Sequence, residues 1–235
     1  MTVTFDALNR NRLLDALPVE ACRPLLPHLE DVRLAVGQVL HQPDERIEHV
    51  YFPLGGLISL LVLMGSGAAV EVAMIGREGL VGTLRRTRSP TSPYRVLVQL
   101  PSSALRMRVE TFEAAIRDNL PLQALVQRHM LALVHQIART AACNRFHPMQ
   151  QRFARWLLLA HDRAEATDLP LTQEVLAARL GIRRATVAVT TARLRRAGVV
   201  RARRGWITIA DRSGLEALAC EDYRLTASEY DRLYQ

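Results

Sequence analysis

The sequence predicts an α+β chain with an N-terminal jelly-roll-like β-roll, a long dimerisation helix and a C-terminal winged helix-turn-helix. Three observations predict it. Short β-rich runs separated by glycine and proline turns fill residues 30–109, and apolar residues recur at helical spacing from Leu122 to Ala141. Residues 171–209, LTQEVLAARLGIRRATVAVTTARLRRAGVVRARRGWITI, read as helix, tight turn, helix and short hairpin. The expected division is a β-roll over 1–118, a dimerisation helix over 119–146 and a DNA-binding unit over 147–235.

Residues 5–17 (FDALNRNRLLDAL) have the spacing of one short amphipathic helix, and 19–27 of a second, broken by prolines. Strands are expected over Asp31–Leu34, Val39–His41, His49–Phe52, Leu57–Leu63, Val70–Met74, Arg95–Leu100 and Ala104–Val109. The run Leu54–Met64 is the most apolar, but far short of the roughly 20 residues a membrane span requires. Residues 85–94 (RRTRSPTSPY) read as a polar loop. A short helix over Phe112–Arg117 precedes a long one with Pro121 in its first turn. That long helix is apolar on more than one face, since Leu131, Val134 and Ala138 accompany Leu125, Leu133 and Ile137. Such a helix faces its own roll and something else, most simply the same helix of a second subunit. Pro148 marks a break, after which 152–163 resumes helical periodicity.

In the C-terminal unit Thr172 is the expected N-cap of the first helix, Gly181 the turn and Gly198 the stop of the second helix. A final short helix is expected over Gly214–Cys220 with Ser213 as its cap, and the tail after Glu221 reads as polar and peripheral. Charge singles out this unit. Residues 145–212 hold 14 Arg against 5 acidic residues, whereas the rest of the chain holds 17 Arg against 18. All of the net positive charge thus lies on the candidate reader, as expected of a surface that neutralises the phosphates of double-stranded DNA.

With Val187, Thr191 and Leu194 turned inward, helical geometry places Arg184, Ala185, Ala188 and Val189 on the groove-facing side. Arg184 is the expected base reader, because its fork matches guanine O6 and N7. Ala185, Ala188 and Val189 offer apolar contact to thymine methyl groups. Arg183, Thr186, Thr190 and Arg193 fit backbone contacts, as does Thr172 at the first helix, with Arg203 and Arg204 as a phosphate clamp on the wing. The chain has no lysine, so every one of these cations is a bidentate donor.

On these residues the chain resembles the Crp/Fnr family of bacterial transcription regulators. GIRRATVAV aligns with that family's recognition-helix pattern: Gly181, Arg184, Thr186 and Val187 match it. Ala185 stands where the family usually has Glu, and Val189 where it often has Arg, so the usual DNA half-site is not implied. The resemblance implies a roll like a cyclic-nucleotide-binding domain, a homodimer joined through the long helix and a two-fold-related operator. It also implies RNA polymerase as a partner, if the protein activates.

Cyclic-nucleotide members hold the ribose with Gly-Glu and the cyclic phosphate with Arg-Ser. Here the segment is IGREGLVG, residues 75–82, which puts Arg77 at the ribose position and Glu78 one residue off. Thr91-Ser92 falls at the phosphate position, with Arg88-Ser89 three residues early. Arg77, Glu78, Arg88 and Ser89 are therefore the candidate effector residues of a degraded match. An unknown metabolite, a protein partner or a purely structural roll all remain open. The three cysteines, Cys22, Cys143 and Cys220, lie far apart in sequence and read as buried, reduced thiols without metal-ligand spacing. No cofactor and no metal are expected, and no Ser/His/Asp set or Walker-type loop points to an enzyme. MTVTFDALNR lacks the apolar core of a secretory leader, so a cytoplasmic protein is expected.

Overall fold

Two antiparallel sheets form the N-terminal roll. One runs β1 (Glu30–Leu34), β7 (Ser102–Arg108), β3 (His49–Pro53); the other runs β2 (Val39–His41), β6 (Arg95–Leu100), β4 (Leu57–Leu63), β5 (Ala69–Ile75). The computed structural model describes residues 3–82, 91–164 and 166–234. Between the sheets Leu34, Tyr51 and Ala104 meet Ile58, Leu60, Ile75, Val96 and Val98. The alternate residues of the three-stranded sheet, Val50, Phe52, Leu105 and Met107, are covered by helices on its outer side. Both faces being buried explains why HVYFP is nearly continuous in apolar residues rather than alternating.

The covering helices are α1 (Phe5–Leu8), α2 (Arg12–Asp15), α3 (Val19–Cys22) and α4 (Val109–Arg117). The single helix expected over 5–17 is in fact two, and Asn11 is the reason. Its Oδ1 accepts from the amides of Leu13 and Leu14, both at 3.1 Å, capping α2. Its Nδ2 donates to the carbonyls of Pro53 at 2.8 Å and Gly79 at 2.9 Å. A buried amide satisfied on both ends overrides the local preference for a continuous helix.

The long helix α5 spans Leu120–Phe146, with Pro121 in its first turn. It ends where His147 turns extended ahead of Pro148, a residue that disfavours helix in its predecessor. Leu122, Leu125, His129, Leu133 and Gln136 face the roll, while Leu131, Val134, Ala138 and Ala141 are exposed. The remaining elements are α6 (Met149–Ala164), β8 (Asp168–Leu169), α7 (Gln173–Leu180), α8 (Arg184–Arg196), β9 (Val200–Arg203), β10 (Trp206–Ile209), α9 (Arg212–Leu218) and α10 (Asp222–Arg232). Among the described residues no helix is long and apolar enough to cross a membrane.

Three expectations change here. The link after Ala164 contributes β8, which pairs with β10 and widens the hairpin to three strands, ordered β8-β10-β9. Asp211, not Ser213, caps α9, its Oδ1 accepting from the Gly214 amide at 3.0 Å. The tail is not peripheral: it forms α10, with Tyr223, Thr226 and Tyr230 buried. Their spacing of three and four makes an inward stripe from polar and aromatic residues, which a purely apolar count overlooks.

The reader unit packs directly on the roll. Leu57, Met74 and Leu100 of the four-stranded sheet share one core with Trp156, Leu157 and Leu176. Trp156 Nε1 donates to Glu71 Oε1 at 2.7 Å, and Arg179 Nε to Gln99 Oε1 at 2.7 Å. Ser59 completes the first contact by donating to Glu71 Oε2 at 2.5 Å. Burial pushes the Glu71 carboxyl up to about 7, against the lowering pull of Ser59, Arg179 and Trp156.

Candidate nucleic-acid interface

The geometry of the reader begins with its turn. Thr172 Oγ1 accepts from the Val175 amide at 3.2 Å, capping α7. Gly181 takes the left-handed conformation, φ 64°, and lets the Ile182 amide reach back to the Ala177 carbonyl at 3.0 Å. Arg183 then enters α8 in extended conformation, with no side chain capping the helix start. The start of α8 thus lies beside two arginines without a side-chain cap, while the Thr186 amide donates to the Arg183 carbonyl at 2.9 Å.

Helix α8 buries Val187, Thr190, Thr191 and Leu194. Arg183, Arg184, Ala185, Val189 and Arg193 are exposed, with Thr186 and Ala188 half-buried. Thr190 departs from its expected role in backbone contact. Only 4% exposed, it donates its hydroxyl to the Thr186 carbonyl at 2.8 Å and lies within the inward stripe 187, 190, 191, 194. Between α8 and the wing lies a groove of about 670 Å³, lined among others by Arg184, Arg195, Arg203, Arg204 and Trp206. Arg195 and Trp206 were not singled out from the sequence. Arg195 follows Ala188 and Ala192 on the wing side of α8 by helical spacing, a signal that was available.

Two of the expected contact residues hold carboxylate partners in the free protein. Arg184 Nη1 lies 2.7 Å from Glu174 Oε1, and its Nε donates to Gln173 Oε1 at 3.3 Å. Arg203 Nη2 lies 3.3 Å from Asp168 Oδ2, with its guanidinium 5.9 Å from the Trp206 ring centre. Exposed pairs of this kind contribute about 0–1 kcal/mol, so exchanging them for a phosphate or a base is cheap.

The IGREGLVG cassette is built quite differently. Glu78 is buried, and its Oε1 accepts from Arg163 Nε at 2.8 Å and from the Gly76 amide at 3.1 Å. Burial alone would lower the affinity of the Arg163 guanidinium for its proton, but Glu78, Tyr230 and Asp162 outweigh it and raise the pKa. Tyr234 donates its hydroxyl to the Glu78 carbonyl, and Arg163 sits 5.4 Å from the Tyr230 ring centre. A Cβ on Gly79 would stand 2.3 Å from His129 Cε1, and one on Gly76 would stand 2.7 Å from Arg163 Cγ. The two glycines thus admit a ring from α5 and the aliphatic stem of an arginine from α6. Burial holds His129 neutral, its pKa lowered to about 4. Arg77 is half-buried beside Glu78, and its carbonyl accepts from the Arg12 amide at 2.8 Å. Arg88 and Ser89 lie outside the described residues.

The cysteines match the expectation of buried, reduced thiols, with one addition. All three are free and buried, yet Cys143 Sγ and Cys220 Sγ lie 3.4 Å apart. The fold brings together what spacing kept separate.

Comparison with known proteins agrees with this architecture. Residues 151–218 match the family described as the Crp-like helix-turn-helix domain. The global nitrogen regulator of Nostoc sp. is 25% identical over 154 residues, covering 62% of this chain and 69% of that protein. FixK2 from Bradyrhizobium japonicum shares the fold with a TM-score of 0.69 at 16% identity, over 82% of this chain and 98% of that one. TTHB099, a Crp-family regulator from Thermus thermophilus, aligns with a TM-score of 0.67 at 18% identity, over 80% and 96% of the two chains. The order β-roll, long helix, helix-turn-helix is the fold that FixK2 and TTHB099 share with this chain. Residues 151–218 thus carry a Crp-like helix-turn-helix domain, and the chain shares its overall fold with solved regulators of the Crp/Fnr type.

Proposed function

We propose that the protein works in the cytoplasm as a homodimer that reads a two-fold-related operator with two copies of α8. The observation that carries this reading is the wide arginine-lined groove between α8 and the wing, in a chain whose α5 also exposes an apolar face. Leu131, Val134, Ala138 and Ala141 follow one another at spacings of three and four, with Leu131 68% and Val134 58% exposed. Such a stripe is a helix–helix seam awaiting its partner. In this reading Arg184 reads a base, and Ala185, Ala188 and Val189 meet the groove floor. Thr172, Arg183, Thr186, Arg193, Arg203 and Arg204 hold phosphates, with Arg195 added from the groove. RNA polymerase is the further partner at promoters where the protein activates.

For the roll, the commitment of the Glu78 carboxylate to Arg163 favours a seat for α5 and α6 over a ribose contact. Selection of bound sites from a random DNA pool tests the main reading. A palindromic consensus with half-sites about 10–10.5 base pairs apart is expected. Leu131→Glu is expected to yield monomers in sedimentation and to lose operator binding. Unrelated sequences from the pool, or a Leu131→Glu dimer, would sink it.

A further inference from the structure

At the exit of the long helix four side chains of metal-binding chemistry converge. Cys143 lies in the last turn of α5, and His147 is the residue that ends it, with its amide donating to the Cys143 carbonyl at 3.1 Å. His147 is already extended, and one of its ring nitrogens lies within 4.8 Å of Cys143 Sγ. Cys220 and Asp222 come from the junction between α9 and α10. One ligand atom from each of these four residues lies within 4.8 Å of the other three. Cys143 Sγ and Cys220 Sγ are 3.4 Å apart, Cys220 Sγ and Asp222 Oδ2 3.9 Å, and His147 Nδ1 and Asp222 Oδ2 3.3 Å. Zinc bonded to sulfur at about 2.3 Å and to nitrogen or oxygen at about 2.0–2.2 Å spaces tetrahedral ligands by roughly 3.3–3.8 Å. The cluster is close to that geometry before any ion enters.

We propose that Cys143, His147, Cys220 and Asp222 form a tetrahedral site for zinc or a similar thiophilic divalent ion. Three of the donors are buried, with Cys143 1%, Cys220 4% and Asp222 2% exposed. His147 Nδ1 is also buried and, although close to Asp222, makes no hydrogen bond. A disulfide between the two cysteines would use half of the cluster and leave that nitrogen unanswered; a metal ion uses all four groups. The surroundings fit as well. Glu221 Oε1 lies 3.3 Å from His147 Nε2, so a proton on Nε2 leaves the Nδ1 lone pair for the metal. Arg139 Nη1 stands 3.4 Å from Asp222 Oδ1, on the side of the carboxylate away from the site. Binding breaks two S–H bonds, forms two metal–sulfur bonds and releases two protons to water, with no change of oxidation state. Two thiolates and one carboxylate around a divalent ion leave one negative charge, which Arg139 and the buried Arg155 face.

Such an ion would clamp the end of α5 to the α9–α10 junction and so fix the reader relative to the long helix. That consequence for DNA rests on the operator reading above; the metal site itself does not. The test uses the full chain, reduced and freed of metal by a chelator. Cobalt(II) titration is expected to saturate at one ion per chain, with thiolate-to-cobalt charge transfer and strong four-coordinate visible bands. Zinc is expected to displace the cobalt, and two protons to be released per ion. Cys143→Ser and Cys220→Ser are each expected to weaken binding more than about 100-fold, beyond the roughly tenfold expected of Glu221→Gln. Cys22→Ser is expected to change nothing. Absence of uptake by the reduced wild-type chain, or a six-coordinate spectrum indifferent to Cys143→Ser, overturns the site. Because the wild-type spectrum decides, the test survives a variant that fails to fold. Operator affinity with and without zinc, measured separately, reports on the clamp.

Discussion

Arg184 and Glu174 meet at 2.7 Å on the reader with side chains 66% and 60% exposed; Arg163 and Glu78 meet at 2.8 Å with side chains 5% and 9% exposed. The two pairs are nearly identical in chemistry and in length. In the groove, water competes for both partners, and the pair is a resting place for a cation that has another use. Under the roll, both charges are shielded from water, and the pair becomes part of the seat on which α5 and α6 rest. The degraded effector signature makes sense in this light. The glutamate expected for a sugar ties three elements together here, and the two glycines before and after it make room for what it ties.

The sharpest way to break the comparison is to remove one partner of the buried pair. Arg163→Met leaves the Glu78 carboxylate buried without its cation, and a loss of about 3–5 kcal/mol in urea unfolding is expected. Adding Glu78→Gln should recover part of it, since the stranded charge is then gone. A loss below about 1 kcal/mol for Arg163→Met would place the pair in the same class as those of the groove.

Next in size is the contact between Glu71 and Trp156. The unfolded Glu71 ionises near its ordinary value of 4.5, whereas the folded one keeps its proton up to about 7. Between those two values the native state binds more protons, so stability falls as pH rises from about 4.5 to about 7 and then levels off. The full span corresponds to about 3 kcal/mol. Glu71→Gln keeps an acceptor for Trp156 and is expected to flatten this stretch of the curve in thermal melts, with its gain above pH 7. An unchanged pH profile would mean that Glu71 is ionised when folded.

How much of this was readable beforehand follows from the range of the interactions. Every strand of the roll was legible, because glycine and proline punctuate β-rich runs within a few residues. Gly181 and Gly198 marked the reader helices for the same reason, both having φ above 60°. What escaped was decided at long range. The break at Asn11 depends on carbonyls 42 and 68 residues away. The thiol pair joins positions 77 apart, and the buried tail shows its stripe only once tyrosines are counted as inward residues. Glu78 was placed in the right segment, but no local pattern points from it to Arg163, 85 residues further on.

On the reader, Arg184→Ala and Arg204→Ala separate two kinds of cation. Arg184→Ala is expected to cost about 1–3 kcal/mol on the selected site and to relax preference at one base pair. Arg204→Ala is expected to weaken all sequences alike and to reduce the steepness of the salt dependence by about one phosphate contact. Gel-shift titrations at several salt concentrations read both. Uniform weakening by Arg184→Ala would move that residue into the phosphate class.

The smallest effect runs in the opposite direction. If the Glu174 pair only parks Arg184, then Glu174→Gln should free the guanidinium and tighten operator binding. The expected gain is at most about 1 kcal/mol, roughly fivefold, because exposed pairs are worth no more. High salt should erase the difference, since it screens the pair in the wild type while leaving the variant nothing to release. Weaker binding by Glu174→Gln would instead show that the carboxylate holds Arg184 in the orientation that reads the base. The groove pair would then resemble the buried one in its purpose, positioning a cation, though not in its contribution to stability.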